Sequence, residues 1–246
     1  MNANRRAGRS CVASHLPLSQ SLHAVLMSNA WFASLPEAVR TDIVSCGRGR
    51  ALQPGQRLFC RGDVSDGMYG VLEGTVRVSG VTREGRETVL DFYGPGSWFG
   101  EVSTLDGSPR IHDAEANGVV LLLQVSPVDL EELLAAHAAF SRALLRLEAQ
   151  RLRILLTALE SYSTQSLEQR LANRLLMLAD HHGRTTTQGL ELGLVLSQET
   201  LARLIGSTRQ RVNQILKEFV REGIVEQHYG RIVLLDRARL ETLARM

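Results

Sequence analysis

The stretch QETLARLIGSTRQRVNQILK, residues 198–217, decides how the chain is read. It sets a short helix, a tight turn and a second helix in the spacing of a helix-turn-helix. Leu201, Ile205, Val212 and Ile215 fall where two crossed helices face each other, and these four are expected to form the shared core. Ala202 leaves room for the crossing, and Gly206 stands where the turn calls for a left-handed residue without a Cβ. Ser207, followed three residues later by Gln210, reads as a capping box, so the second helix is expected to start at about Thr208.

That helix exposes a polar face. Arg209, Gln210, Asn213, Gln214 and Lys217 lie on it, with Ser207, Thr208 and Arg211 at its start. Such side chains donate to guanine, bind adenine through two bonds, or hold a phosphate, so the segment is read as a reader of double-stranded DNA. An amphipathic hairpin with a merely solvated basic face shares the pattern, but not the agreement of apolar, small, glycine and capping positions. Beyond it, GIVEQHYGRIVLLD (223–236) holds two apolar runs around Tyr229-Gly230, a β-hairpin beside the recognition helix. The whole is a winged helix-turn-helix, and His228 and Arg231 of the wing need make no base contacts.

A reader of this kind takes about 80 residues, so a chain of 246 is expected to carry a second domain upstream. Fourteen of the 21 glycines lie between Gly47 and Gly118, none between Val119 and His182, and no proline follows Pro127. The chain therefore passes from turn-rich to helical. Between Trp31 and Val125, the runs RLFCRG, MYGVLEG, TVRVSG, ETVLDFYG and VVLLLQV recur between turn signals, which points to an antiparallel sandwich or jelly roll. Ser126, Pro127 and Asp129 open a short helix, and a longer one is expected from about Ala138. In it Leu145, Leu152 and Leu159 repeat at seven, with Leu155 and Tyr162 between, a seam suited to a parallel helix pair. Leu144, Leu147, Ile154 and Leu156 give the same helix a second apolar side, suited to its own barrel.

Charge is close to balanced, 27 arginines and one lysine against 26 acids, and does not by itself announce nucleic acid. Locally, Arg203, Arg209, Arg211 and Lys217 against Glu199 give +3 over residues 198–217, enough to favour a phosphate backbone. Cys11, Cys46 and Cys60 are odd in number and scattered, which supports neither a disulfide framework nor a metal site and fits a reducing cytoplasm. No apolar stretch approaches the roughly 20 residues of a membrane span. Residues 1–21 read as a disordered tail, 22–137 as the sensor domain, 138–163 as a dimerisation helix and 164–246 as the reader. Nucleophile-elbow, zinc-protease and Walker motifs are absent and His181-His182 read as an interdomain turn, so no enzyme is expected. The competing non-enzymatic reading is a regulatory module that acts on a protein partner instead of DNA.

This order, α+β with an N-terminal jelly roll, a long dimer helix and a C-terminal winged helix-turn-helix, resembles the CRP/FNR family of bacterial transcription regulators over about residues 22–240. GSWFGEVSTLDGSPR in the sensor and STRQRVNQILK in the reader carry the resemblance. It implies a homodimer on a near-palindromic operator, RNA polymerase as a partner, and a cyclic-nucleotide site at Gly100, Glu101, Val102, Ser103, Arg110 and Ile111. In that site backbone amides and Arg110 would hold the cyclic phosphate and Glu101 the ribose hydroxyl, chemistry that a helix start and a guanidinium supply unaided.

Several positions depart from the family pattern. Ile111 stands where nucleotide binders have a phosphate-bonding serine or threonine, and Ala158-Leu159 where the cyclic-AMP receptor has its adenine-contacting pair. His112-Asp113 adds an acid beside any anionic ligand. The effector is therefore open between cyclic AMP, cyclic di-GMP, another metabolite, haem on His112 or His137, and none, with no metal centre of the iron–sulfur kind expected. In the reader Arg209 matches the guanine-contacting arginine, whereas Gln210 and Gln214 replace a glutamate and a second arginine. A shifted operator sequence is implied.

Overall fold

The computed structural model describes residues 19–81, 87–228 and 230–245, with the backbone alone at 161–163. Cys11, Tyr229 and the side chain of Tyr162 thus lie outside the described residues, as does most of the expected tail. Ser19, inside the expected tail, caps helix α1 (Gln20–Met27), which is followed by α2 (Ala30–Ala33) and α3 (Glu37–Cys46). The sensor sheets then run β1 (Arg48–Leu52), β2 (Arg57–Phe59), β3 (Met68–Glu73), β4 (Val76–Val81), β5 (Glu87–Tyr93) and β6 (Trp98–Phe99). After the short helix α4 (Glu101–Leu105) come β7 (Asp113–Ala116) and β8 (Val120–Val125).

Two antiparallel four-stranded sheets, ordered β1-β8-β3-β6 and β2-β7-β4-β5, face one another as a jelly roll. All five expected runs are strands. The others carried no legible signal: β1 is RGRAL, β6 is two residues long, and β7, DAEA, alternates acids with alanines too small to mark an inner face. Leu52, Leu58, Tyr69, Val71, Phe99 and Leu122 fill the space between the sheets. A second cluster, with Phe32, Trp98, Leu123 and Phe140, seals the N-terminal helices onto the outer face of the first sheet.

Ser126 caps α5 (Pro127–Ala136) through its hydroxyl, as expected, and α6 (Ala138–Thr164) follows. The reader comprises α7 (Leu167–His182), β9 (Gly183–Thr185), β10 (Leu190–Leu192), α8 (Gln198–Leu204), α9 (Arg209–Arg221), β11 (Val225–His228), β12 (Arg231–Leu234) and α10 (Arg237–Arg245). The wing hairpin β11–β12 extends into a four-stranded sheet through β10 and β9.

Sensor and reader share a core, since Val89 and Phe92 of β5 join the apolar cluster of α7 and α8. Around it Arg203 pairs with Glu87, and Arg174 donates to the Leu90 carbonyl at 2.7 Å and to Asp91 at 3.2 Å. His181 and His182 are not an interdomain turn. They end α7, where no glycine or proline interrupts the helix before Gly183, and His182 Nε2 lies 3.0 Å from the Phe92 carbonyl.

Burial, reinforced by His181 and Arg174, holds His182 below the ordinary histidine pKa despite the Phe92 carbonyl and Asp91. The unfolded chain therefore binds this proton more readily, and stability falls as the pH drops from the unfolded value near 6.5 towards the lower folded value. His182→Gln, which keeps a donor for Phe92, should flatten part of the fall in Tm between about pH 7 and 5. Parallel Tm profiles for the two proteins would contradict this.

Candidate functional site

The sensor pocket is built around Gly100, which caps α4 at φ +87°, a conformation that disfavours any side chain. A Cβ there would also stand 3.1 Å from Arg110 Nη1 and 3.2 Å from the Gly67 carbonyl. That space is taken by Arg110, only 3 % exposed. Its guanidinium donates to the carbonyls of Gly100 (2.7 Å) and Gly67 (2.6 Å) and to Asp66 Oδ1 (2.9 Å), and lies over the Phe59 ring at 4.2 Å. Asp66 also receives the Tyr69 hydroxyl at 2.5 Å and Arg50 at 2.7 Å. Burial works against its charge, but the bonds from Tyr69, Arg110 and Arg50 outweigh it and hold the carboxyl below its ordinary pKa.

Glu101, equally buried, forms an ion pair with Arg151 from the middle of α6. Arg151 also donates to the Trp98 carbonyl at 2.5 Å and stands 3.5 Å from Glu148. Burial and repulsion from Glu101 raise the Glu148 pKa against the pull of Arg151. None of Asp66, Glu148 or Arg151 was read as a site residue. Arg151 meets Glu101 from fifty positions away, and no local pattern marks that contact.

All six expected pocket residues, Gly100, Glu101, Val102, Ser103, Arg110 and Ile111, line one cavity of about 100 Å³ with Phe59, Val78, Tyr93, Phe99 and His112. Ser103 is buried and bonded to the Pro109 carbonyl, while Val102 and Ile111 form an exposed rim. Of the two histidines considered for haem, only His112 reaches the cavity. His137 pairs instead with Asp42 at 2.8 Å. Among the described residues no cluster of three or more metal-ligating side chains forms.

On α6 the seam is open: Leu145 and Leu159 are each 70 % exposed, and Leu152 and Leu155 are exposed as well. The second apolar side is shorter than expected. Leu144 is buried, but Ile154 and Leu156 are exposed, and Leu156 stands one turn from Leu152 on the seam side of the helix.

In the reader, Gly206 adopts φ +65° as the turn requires. The cap is corrected by one residue. Thr208, not Ser207, accepts the Arg211 N–H, because Ser207 remains in the turn with its own N–H on the Ala202 carbonyl. The shared core is likewise corrected: Leu201, Ile205 and Val212 are buried, but Leu216 and Phe219 complete it and Ile215 lies at its edge. Arg209, Gln210, Arg211, Gln214 and Lys217 are exposed. Asn213 is half-buried, its Oδ1 taken by Gln198 at 2.9 Å. Arg203 is turned away to Glu87 and Glu199, so the local positive charge rests on Arg209, Arg211 and Lys217, which have no ion-pair partner among the described residues.

Residues 49–137 match the cyclic nucleotide-binding domain family and 169–243 the Crp-like helix-turn-helix domain family. A CRP-like cAMP-activated global transcriptional regulator of Mycobacterium tuberculosis is 30 % identical over 201 residues, covering 80 % of this chain and 90 % of that protein. The chain belongs to the CRP/FNR family. The cyclic AMP receptor protein of Thermus thermophilus is 32 % identical over 79 % of this chain and 88 % of its own length. The solved structure of a CRP-family transcriptional regulator, also from Thermus thermophilus, superposes with a TM-score of 0.67 at 29 % identity, covering 80 % of this chain and 97 % of that one. This CRP/FNR member is thus a DNA-binding transcription regulator with a cyclic nucleotide-binding domain, and the module regulating only a protein partner is set aside.

The packing also changes what Arg110 can be asked. Arg110→Ala would strand two carbonyls and Asp66, so it should lower the unfolding free energy by about 3 kcal/mol or more, beyond any loss of ligand. Chemical denaturation measures this, and a change within about 0.5 kcal/mol would show that the guanidinium does not organise the sensor.

Proposed function

We propose that this CRP/FNR regulator is a homodimer, paired along α6, that sets its two α9 helices in successive major grooves of a near-palindromic operator. A cyclic mononucleotide held between Arg110 and Glu101, cyclic AMP foremost, controls it. It works in the cytoplasm, where the chromosome lies, with RNA polymerase as its further partner.

One observation carries the effector reading. Arg110 and Glu101 both line one cavity, and Arg110 Nε and Glu101 Oε2 are buried without a hydrogen-bond partner among the described residues. A buried orphan donor and a buried orphan acceptor suit a ligand that brings an anionic oxygen and a hydroxyl. The cyclic phosphate and ribose of a mononucleotide supply both. The cavity is below the roughly 300–1,000 Å³ of ordinary small-molecule sites, so it receives that end of the ligand and leaves the base outside. Leu159 at the expected base contact offers no hydrogen bond, so adenine and guanine should be poorly distinguished.

A thermal-shift titration with cyclic AMP, cyclic GMP and cyclic di-GMP tests this. Both mononucleotides should raise Tm with affinities within about tenfold of each other, since a single lost base contact is worth at most about 1.5 kcal/mol. Ile111→Ser, which returns a hydroxyl to the exposed rim, should tighten them by about tenfold, the effect of one bond to a charged group. Absence of any shift at millimolar concentration, or a shift with cyclic di-GMP alone, would contradict the mononucleotide reading.

For DNA, Arg209→Ala should cost about 1–3 kcal/mol at the operator and relax preference at one base pair. Arg211→Ala should weaken specific and random DNA alike and reduce the salt slope by about one. Competition binding against single-base operator variants separates them, and equal loss on specific and random DNA for Arg209→Ala would remove it as the base reader.

A further inference from the structure

The heptad register on α6 can be chosen in two ways. If Leu145, Leu152 and Leu159 occupy a positions, the d positions are Glu148, Leu155 and Tyr162, and Glu148 would set a carboxylate in the seam. If they occupy d, the a positions are Arg142, Ala149 and Leu156, so the one charge stands ahead of Leu145 at the start of the seam and none enters between Leu145 and Leu159. The second register is the one that burial favours. It makes Glu148 and Leu155 g positions and Arg146, Arg153 and Glu160 e positions.

In a parallel pair each g side chain faces the e side chain five residues further along the other helix. Ser141 then meets Arg146, Leu155 meets Glu160, and Glu148 meets Arg153. Only the last joins opposite charges.

The same two residues stand out in the isolated chain. The Glu148 side chain is 31 % exposed, with Oε1 buried 3.5 Å from Arg151 Nη1 without a hydrogen bond, and Arg151 already serves Glu101, so the accessible part of the carboxylate is left for a second partner. One guanidinium is therefore shared between two carboxylates. Arg153 is exposed and has no ion-pair partner among the described residues.

Resting on the parallel dimer proposed above, we infer that Glu148 of each protomer pairs with Arg153 of the other, so that the second copy completes the Glu101–Arg151–Glu148 chain at each pocket. The pair fixes the helices parallel and in register, because an antiparallel arrangement or a slipped register would part the two charges. It also links each protomer to the other's effector site through Glu148, Arg151 and Glu101.

A double-mutant cycle on the ligand-free full-length chain tests this by sedimentation. Two-fold symmetry means that Glu148→Gln or Arg153→Gln each removes two copies of the pair, so each should weaken the dimer by about tenfold. The double variant should be no weaker than about tenfold, and Arg153→Lys should stay near the parent. A double variant about a hundredfold weaker, the product of the singles, would overturn the pair while leaving the dimer. A parent chain that sediments as a monomer at micromolar concentration would overturn the dimer itself.

Discussion

The guanidinium of Arg151 lies where the long helix, the effector cavity and the sensor sheet meet. It neutralises Glu101, whose carboxylate would otherwise be a buried unpaired charge, and caps the Trp98 carbonyl on β6. Arg151 leaves α6 on the side turned to the barrel, whereas Leu145 and Leu152 leave it on the side open to solvent. A ligand at Glu101, as proposed, would meet a carboxylate that is ion-paired to the helix carrying the seam. Near Arg151 the barrel and α6 cannot shift independently without breaking a buried ion pair.

The reader is tied to the sensor by different means. Val89 and Phe92 of β5 belong to the reader's apolar core, and Glu87 and Asp91 flank them with charges for Arg203 and Arg174. β5 thus does two jobs, pairing with β4 inside the jelly roll and forming a wall of the reader. Since Arg203 is spent on this contact, the exposed positive charge of the helix-turn-helix narrows to the start and middle of α9. That concentration suits a helix whose N-terminal residues approach base edges while its flanks meet phosphate.

Much of this was legible in the chain. Gly206, Ala202 and the apolar positions gave the helix-turn-helix, and heptad spacing gave the seam, because local periodicity and turn chemistry encode both. The misplaced cap at Ser207 and the core position assigned to Ile215 are one-residue errors, of the kind made where two adjacent residues can each serve. Beyond local pattern the sequence was silent. Asp66, Arg151 and His182 act through partners 44, 50 and 90 residues away, and only the closed sheets bring those partners together. For Arg110, read as a ligand contact, the sequence held no sign of its bonds to the Gly100 and Gly67 carbonyls and to Asp66.

If cavity, long helix and reader form one connected path, effector and operator must influence each other's binding by equal factors. The most direct test is the affinity for cyclic AMP by titration calorimetry on the dimer, free and saturated with its operator. Binding should tighten on the operator by the same factor by which cyclic AMP tightens operator binding, about 5–150-fold for couplings of this kind. An affinity that is identical with and without DNA would mean that the pocket and the recognition helix are not connected.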